Sequence, residues 1–257
     1  MAVRRLYAML NGYETVDKSL STRGRGGVSM REPIQMFLLD TADGWVLFDA
    51  GTNPALVRDP ALKQRYYTGQ GWDAPDLPDD LTLPRHLERL GLAPRDIAAV
   101  VISHLHLDHS GALPLLTHCP VYIQRDEHDY AFGEADEALA YFRVDYAELA
   151  LDWRIIDGDR ALLDGVTAIK TRGHTPGHQS LVVELPASGT FVLAQDCADL
   201  VENLDDEVLP GSSVDDAAAL AAIRRVKAIA ASSGGRVIPG HDPDFFPTLK
   251  QAPDYYD

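Results

Sequence analysis

The nine residues SHLHLDHSG, Ser103 to Gly111, set His104, His106, Asp108 and His109 within six positions. Imidazole nitrogen and carboxylate oxygen are donors that suit zinc, and related donor sets hold manganese, iron or cobalt. A lone histidine is more often a core or surface residue than a ligand, but four donors packed this densely point to a metal centre. In an extended segment alternate side chains share one side. His104, His106 and Asp108 are therefore expected to converge while His109 turns the other way, so that one loop offers two neighbouring ligand sets.

A four- or five-coordinate cation needs further donors, and other parts of the chain supply them. TRGHTPGHQS carries His174 and His178 in a Gly- and Pro-rich loop, VLAQDCAD carries Asp196, and VIPGHD carries His241. Each follows a β-rich run, where a rigid scaffold can hold a side chain and loops leave it accessible. His104, His106, Asp108, His109, His174, Asp196 and His241 are enough for two cations that share one carboxylate.

The runs that must position these residues read as strands interrupted by short helices. IQMFLLD from Ile34 and WVLFDAG from Trp45, separated by the turn signal TADG, predict a hairpin. From Leu62 to Pro84 the chain is rich in Gly, Pro and Asp yet carries Tyr66, Tyr67 and Trp72, which predicts a long loop of the kind that often forms a lid or binding loop. PRHLERLGL predicts a helix with Pro84 in its first turn and Gly91 near its end. IAAVVIS, continuously apolar, predicts a strand buried on both faces with the ligand-rich segment at its carboxyl end.

Next come a helix near GALPLL, a strand PVYIQ, helical segments through RDEHDYAFGEADEALAYF, and strands WRIID, VTAIKT, SLVVEL and FVLAQD. A late helix is expected to start near Ser213, with that side chain as its cap and Asp215 and Asp216 in its first turn. Leu220, Ile223, Val226 and Ala230 follow on three-to-four spacing, and RVIPGHD is a final short strand. Two runs of strands, each broken by helices, predict two stacked sheets with helices outside. No repeat, low-complexity tract or linker divides residues 1–257, which read as one domain.

The chain has 257 residues and 46% hydrophobic content, enough to bury roughly three quarters of the surface of its unfolded form. Its 39 acidic and 23 basic residues give a formal charge of -16, which repels phosphate backbones and anionic headgroups within about a Debye length. Nucleic acid and membrane surfaces are thus poor partners. RRLYAML at Arg4 is a local basic patch, read as a solvated amino-terminal strand. The first residues turn polar at Asn11, unlike a secretory leader, and no apolar run approaches the ~20 residues of a bilayer span. A soluble cytoplasmic protein is expected. Cys119 and Cys197 are too few for a disulfide scaffold and are expected to be small core residues.

His-Leu-His-Leu-Asp-His, Gly-His-Thr-Pro-Gly-His, a strand-end aspartate and Gly-His-Asp together resemble the metallo-β-lactamase superfamily. The resemblance implies an α/β fold: an αββα sandwich of two mixed β-sheets flanked by helices, with a dinuclear site at one edge. Within that superfamily LYAMLNGY, SHLHLDHSG, QRDE, GHTPGHQSL, NLDDEV and the closing GHD are similar, in order and from end to end, to the N-acyl-homoserine lactonases. The implied cofactors are two divalent metal ions, zinc foremost, with iron, cobalt or manganese as alternatives. His104, His106 and His174 would hold one ion, Asp108, His109 and His241 the second, and Asp196 would bridge them. His178 is read as a supporting or structural residue.

The implied activity is opening of the lactone ring of N-acyl-homoserine lactones, a quorum-quenching reaction on a small-molecule substrate. Two cations about 3.5–4 Å apart can lower the pKa of a shared water until hydroxide is available near neutral pH, and one can stabilise the oxyanion that develops on the ester carbonyl. Asp108, beside the metals, is the candidate for carrying a proton to the departing alkoxide. A homodimer is compatible with the sequence.

One position departs from the family. Members commonly carry a tyrosine three residues after the bridging aspartate, where its phenol can donate to the lactone carbonyl; here the residue is Asp199. An ionised carboxylate cannot donate and would repel an oxyanion, so a different donor, a protonated Asp199 or the metal must serve. Tyr66 and Tyr67 are conceivable substitutes, and equally conceivable as acyl-chain contacts. Substrate is expected to approach along Tyr66, Tyr67, Trp72 and the stretch from Leu209 through Gly211 to Ser212. Within the same fold, Asp196 argues against a true β-lactamase, His106 against a flavodiiron protein and the acidic charge against a nuclease. A glyoxalase II-like thioester hydrolase, a hydrolase of another lactone and a metal-dependent binding protein without turnover are the alternatives.

Overall fold

The computed structural model describes residues 3–257. Six strands form the first sheet in the order β1 (Val3–Asp17), β2 (Ser29–Thr41), β3 (Gly44–Phe48), β4 (Ile97–Val101), β5 (Pro120–Gln124) and β6 (Asp152–Ile156). β1 to β3 pair antiparallel and β3 to β6 parallel. The second sheet runs from β7 (Arg160–Leu163) through β8 (Val166–Lys170), β9 (Gln179–Leu185) and β10 (Gly189–Gln195) to β11 (Arg236–Pro239). All its pairs are antiparallel except β10 with β11. Six helices accompany them: α1 (Pro54–Arg58), α2 (Pro60–Tyr66), α3 (Leu83–Arg89), α4 (Arg125–Phe132), α5 (Val201–Asp205) and α6 (Asp216–Ser233).

Alternation along the strands explains the layering. On β2, Phe37 and Leu39 enter the apolar layer between the sheets, where they meet Leu181, Val183, Phe191 and Leu193 of the second sheet. Met36 and Leu38 point the other way, into a layer shared with Leu83 and Leu87 of α3 and Ala131 of α4. On β10, Val192 and Ala194 face Ile223, Val226 and Ala230 of α6. Strands buried on both faces need unbroken apolar runs, as the centres of β2 and β10 have; β4, expected to be buried throughout, is so only at Ile97, Val100 and Val101, with Ala98 exposed. The result is two mixed sheets face to face with helices outside each, the αββα sandwich expected.

Several local expectations need correction. The RRLYAML strand is present but not solvated: Leu6, Tyr7, Ala8 and Met9 are buried on its two faces. Its charge stays at the surface, with Arg4 paired to Asp40 and the Arg5 guanidinium 4.7 Å from the centre of the Tyr255 ring. Both amino-terminal strands run longer than their apolar centres, and β7 went unread because Arg160–Leu163 is short and partly exposed. The stretch 62–84 is not all loop. Asp59 accepts from Ala61 N and Leu62 N and Pro60 opens the helix, so α2 continues to Tyr66.

The GALPLL helix is a single 3-10 turn at Leu113–Leu115. α3 starts about where expected, with Pro84 in its first turn, but stops at Arg89, so residues 90–92 lie outside the helix and Gly91, at φ 73°, stands beyond its end. α6 is capped by Asp215, whose side chain accepts from Ala218 N, and not by Ser213, whose hydroxyl donates to Gly173 O. Cys119 and Cys197 are buried and unpaired. Among the described residues no helix is long and apolar enough to cross a membrane.

Candidate active site

The carboxyl ends of β4, β10 and β11, with the loop between β8 and β9, carry the predicted donors to one edge of the sandwich. The Ser103–Gly111 segment leaves β4 but does not stay extended: His109 N and Ser110 N both donate to His106 O, closing a turn. The turn corrects the expected alternation. Asp108 swings away from His104 and His106 and joins His109. Close approach of backbones fixes the turn, because a Cβ on Gly111 would run into Thr52 and Asn53.

Two donor groups result. In the first, His104 Nε2 lies 2.9 Å from His106 Nδ1 and 3.2 Å from His174 Nε2, and His174 Nε2 lies 3.1 Å from His106 Nδ1. Asp196 Oδ2 completes the group at 3.6 Å from His104 and 3.3 Å from His174. In the second, His109 Nε2 lies 3.0 Å from Asp108 Oδ2 and 3.1 Å from Asp196 Oδ1, while His241 Nε2 lies 3.2 Å from Asp196 Oδ1 and 3.6 Å from Asp108 Oδ2. The two oxygens of Asp196 are thus divided between the groups.

These donors fit divalent cations. Tetrahedral coordination at ~2.0–2.1 Å sets neighbouring donors about 3.3–3.4 Å apart, within the spread of the distances above. His109 Nε2 is buried and makes no hydrogen bond despite its two close carboxylates; the atoms converge on a common point rather than on each other. Burial, then the mutual repulsion of the neighbouring rings, holds His104 well below the ordinary imidazole range and His106 down to about 3, leaving neutral lone pairs. Burial pushes Asp196 up, but His109, His104, His241 and His174 outweigh it and keep the carboxyl well below its usual range. Burial also opposes charge on His109, yet Asp108, Asp196 and Asp49 raise it well above the ordinary value, and Asp196 and Asp108 do the same for His241. The second group attracts positive charge.

Three of the rings are oriented from behind through their second nitrogen. His109 Nδ1 donates to Asp49 Oδ2 at 2.8 Å, His174 Nδ1 to Ser212 O at 2.9 Å, and His241 Nδ1 to Pro33 O at 3.0 Å. Such hydrogen bonds fix the tautomer and the ring plane. Asp49, fully buried at the end of β3, also accepts from Ser103 N, Ser103 Oγ and the Gln195 amide. Asp49 and Gln195 both hold left-handed backbone, φ 59° and 50°, a conformation that persists only where surroundings over-determine it. Glu127 of α4 pins the two histidine loops together by accepting from Leu105 N, Tyr141 Oη, Thr175 Oγ1 and Gly177 N. His178 is buried, bonds Thr171 Oγ1 through Nδ1 and belongs to neither donor group.

Asp49 and Glu127 were missed as site residues. Asp49 carried the signal that singled out Asp196, a carboxylate directly after an apolar strand, and Glu127 lay inside the QRDE motif without an assigned role.

A cavity of about 780 Å³ opens over the donors. His106, Asp108, His174, Asp196 and His241 border it, as do Tyr67, Trp72, Asp199 and Gly211. Tyr66 and Leu209 do not: Tyr66 packs on Phe142, ring centres 4.9 Å apart, and Leu209 packs against the layer under α6. No lysine or arginine lines the cavity among the described residues, whereas Glu14 and Glu32, which sequence reading did not single out, do. Tyr67 Oη and Asp199 Oδ1 are buried without a hydrogen-bond partner.

The metallo-beta-lactamase superfamily matches residues 30–241. The N-acyl homoserine lactonase AttM of Azorhizobium caulinodans is 32% identical over 240 residues, 90% of each chain. The N-acyl homoserine lactonase of Bacillus cereus is 31% identical over 260 residues, 99% of this chain and all of its own. Among solved structures, a mutant of B. thuringiensis AiiA with N-decanoyl-L-homoserine at its active site superimposes with a TM-score of 0.89 at 30% identity, covering both chains entirely. An N-acyl homoserine lactone hydrolase with N-hexanoyl-L-homoserine at its catalytic metal centre gives the same TM-score, identity and coverage. The chain belongs to the N-acyl homoserine lactonase family of the metallo-β-lactamase superfamily.

Proposed function

We propose that this chain, as a single-domain enzyme, hydrolyses the lactone ring of N-acyl-homoserine lactones with two divalent cations, zinc foremost. The observation that carries the reading is the carboxylate of Asp196 divided between two donor groups at the floor of a cavity, in a chain of the lactonase family. His104, His106 and His174 would hold one cation and Asp108, His109 and His241 the other, with Asp196 shared. Bound there, the pair supplies Lewis acidity and water of lowered pKa.

The chain's own groups do the rest. Asp49 and Glu127 hold the rings and loops in register, so little reorganisation is needed as charge develops. Asp108 borders both the donors and the cavity, where its carboxylate can take a proton from the attacking water and return it to the ring oxygen as the ester bond breaks. The products are an acyl-homoserine carboxylate and, near neutral pH, one free proton. Tyr67, Trp72 and Leu107 offer apolar surface for the acyl chain, at ~0.8 kcal/mol per buried methylene.

The absence of lysine and arginine from the described lining disfavours anionic substrates such as acyl-glutathione. We place the working enzyme in the cytoplasm, a reading supported by two buried, unpaired thiols. Acid release from an acyl-homoserine lactone in weak buffer tests the activity. Sustained release that stops on chelation is expected. Release limited to one equivalent would indicate a binder, and cleavage of acyl-glutathione alone a thioester hydrolase.

A further inference from the structure

Asp199 occupies a position that the proposed chemistry leaves without a task. It lies three residues beyond Asp196, and its backbone is tied into the ligand loops: Gly240 N donates to Ala198 O and His241 N donates to Asp199 O. Its side chain is 5% exposed, borders the cavity, and leaves Oδ1 without any hydrogen-bond partner. No lysine or arginine lines the cavity among the described residues to neutralise it. A buried carboxyl in that position is held as the ionised carboxylate only where a cation meets it.

The donor atoms of Asp196, Asp199 and His241 lie within 4.8 Å of one another. Two of those three residues already belong to the second donor group. We infer that Asp199 is a further ligand of the second cation, giving that site three carboxylates and two imidazoles against three imidazoles and one carboxylate in the first. The inference rests on the reading that a cation binds between Asp196 and His241.

Its consequence is chemical asymmetry. Imidazole-rich sites suit zinc, whereas carboxylate-rich sites suit harder ions such as manganese. The second site should therefore retain Mn²⁺ better than its own Asp199→Asn variant by a wider margin than it retains Zn²⁺. Asp199 thus does more than fill the place of the family tyrosine. It changes which ion the site prefers.

The test is metal binding, read without turnover. Wild type, Asp199→Asn and Asp199→Glu are stripped with a chelator and titrated with Mn²⁺ or Zn²⁺, with bound metal counted by elemental analysis and affinity measured by chelator competition. Wild type should bind two equivalents. Asp199→Asn should keep the first and hold the second Mn²⁺ at least about 10- to 100-fold more weakly, since losing even a group that only supports a ligand costs that much, and Asp199→Glu should recover part of the loss.

Unchanged affinity for both equivalents in a folded Asp199→Asn protein overturns the Asp199 assignment and leaves the two-cation reading standing. Fewer than two equivalents in wild type overturns that reading itself. Cobalt-substituted wild type keeps the assignment testable if the variant misfolds: five protein donors give the second site a weak visible absorption, and a strong tetrahedral band from both sites contradicts the assignment.

Discussion

At the floor of the cavity the two bracing carboxylates are saturated, with Asp49 accepting four hydrogen bonds and Glu127 another four, from residues on both sheets and their loops. The wall differs: Tyr67 Oη and Asp199 Oδ1 are equally buried and have no partner in the protein. The floor is built to hold donors still, whatever occupies the cavity. The wall is built with vacant valences that an occupant must satisfy. Chemistry of one type can therefore persist on this floor while changes in the wall alter what is accepted.

Substitutions should separate the two regions, and the floor should respond most strongly. Asp196→Ala removes an oxygen from each donor group at once; we expect loss of bound metal and a fall in lactone hydrolysis of at least ~10³-fold, checked by elemental analysis beside proton release. Asp49→Asn and Glu127→Gln keep shape but weaken the braces, so metal affinity or activity should fall about 10- to 100-fold. An unperturbed chelator-competition curve for both would show that the braces are ornamental. In the wall, Tyr67→Phe removes only the unpartnered hydroxyl. Its effect should stay within about 10-fold, and a shift in KM with kcat intact would assign the hydroxyl to substrate binding.

A pH-dependent effect is expected just outside the wall. Asp145 is buried and accepts from Asn53, whose side chain also caps α1. Burial, opposed by the Asn53 hydrogen bond, pushes its carboxyl up to about 7. Between its ordinary value near 3.8 and about 7, the unfolded chain releases this proton while the folded chain keeps it. The contribution to stability is therefore complete below that window and is lost as pH rises through it. Asp145→Asn, neutral at every pH, should melt near wild type at pH 4 and several degrees higher at pH 8, at about 2–4 °C per kcal/mol for a chain of this size. A constant difference across the range would contradict the assignment. Smallest of all, Arg4→Ala removes a solvent-exposed guanidinium from its pair with Asp40 and should shift the midpoint of chemical denaturation only slightly.

The same contrast explains what sequence could reveal. Strand-end histidines and aspartates are legible because a donor directly after an apolar run is both rare and positioned, and all seven predicted donors fall into the two groups. The partition of Asp108 was not legible locally. It depends on a turn closed by His106 O, and the assumption of extended backbone sent that side chain to the wrong neighbours. The sandwich itself was legible in the order of the elements, two runs of strands each broken by helices, and the packing of β2 and β10 on both their faces accounts for it.

The wall was harder to read for a physical reason. Tyr66 and Tyr67 are adjacent and chemically alike, yet only the second borders the cavity, because α2 ends between them and the chain turns. Glu14 and Glu32 reach the cavity from β1 and β2, Glu14 just past the LYAMLNGY motif and Glu32 outside every motif. Long-range packing decides such positions, and local spacing carries no trace of it.

The most direct test is a titration of chelator-stripped protein with Zn²⁺ while acid release from an N-acyl-homoserine lactone is recorded. Hydrolysis should be absent at the start, rise with added metal and level off at two equivalents per chain. Full hydrolysis by protein shown to be metal-free, or a plateau at one equivalent with no second ion bound, would contradict a paired-cation centre built on Asp196.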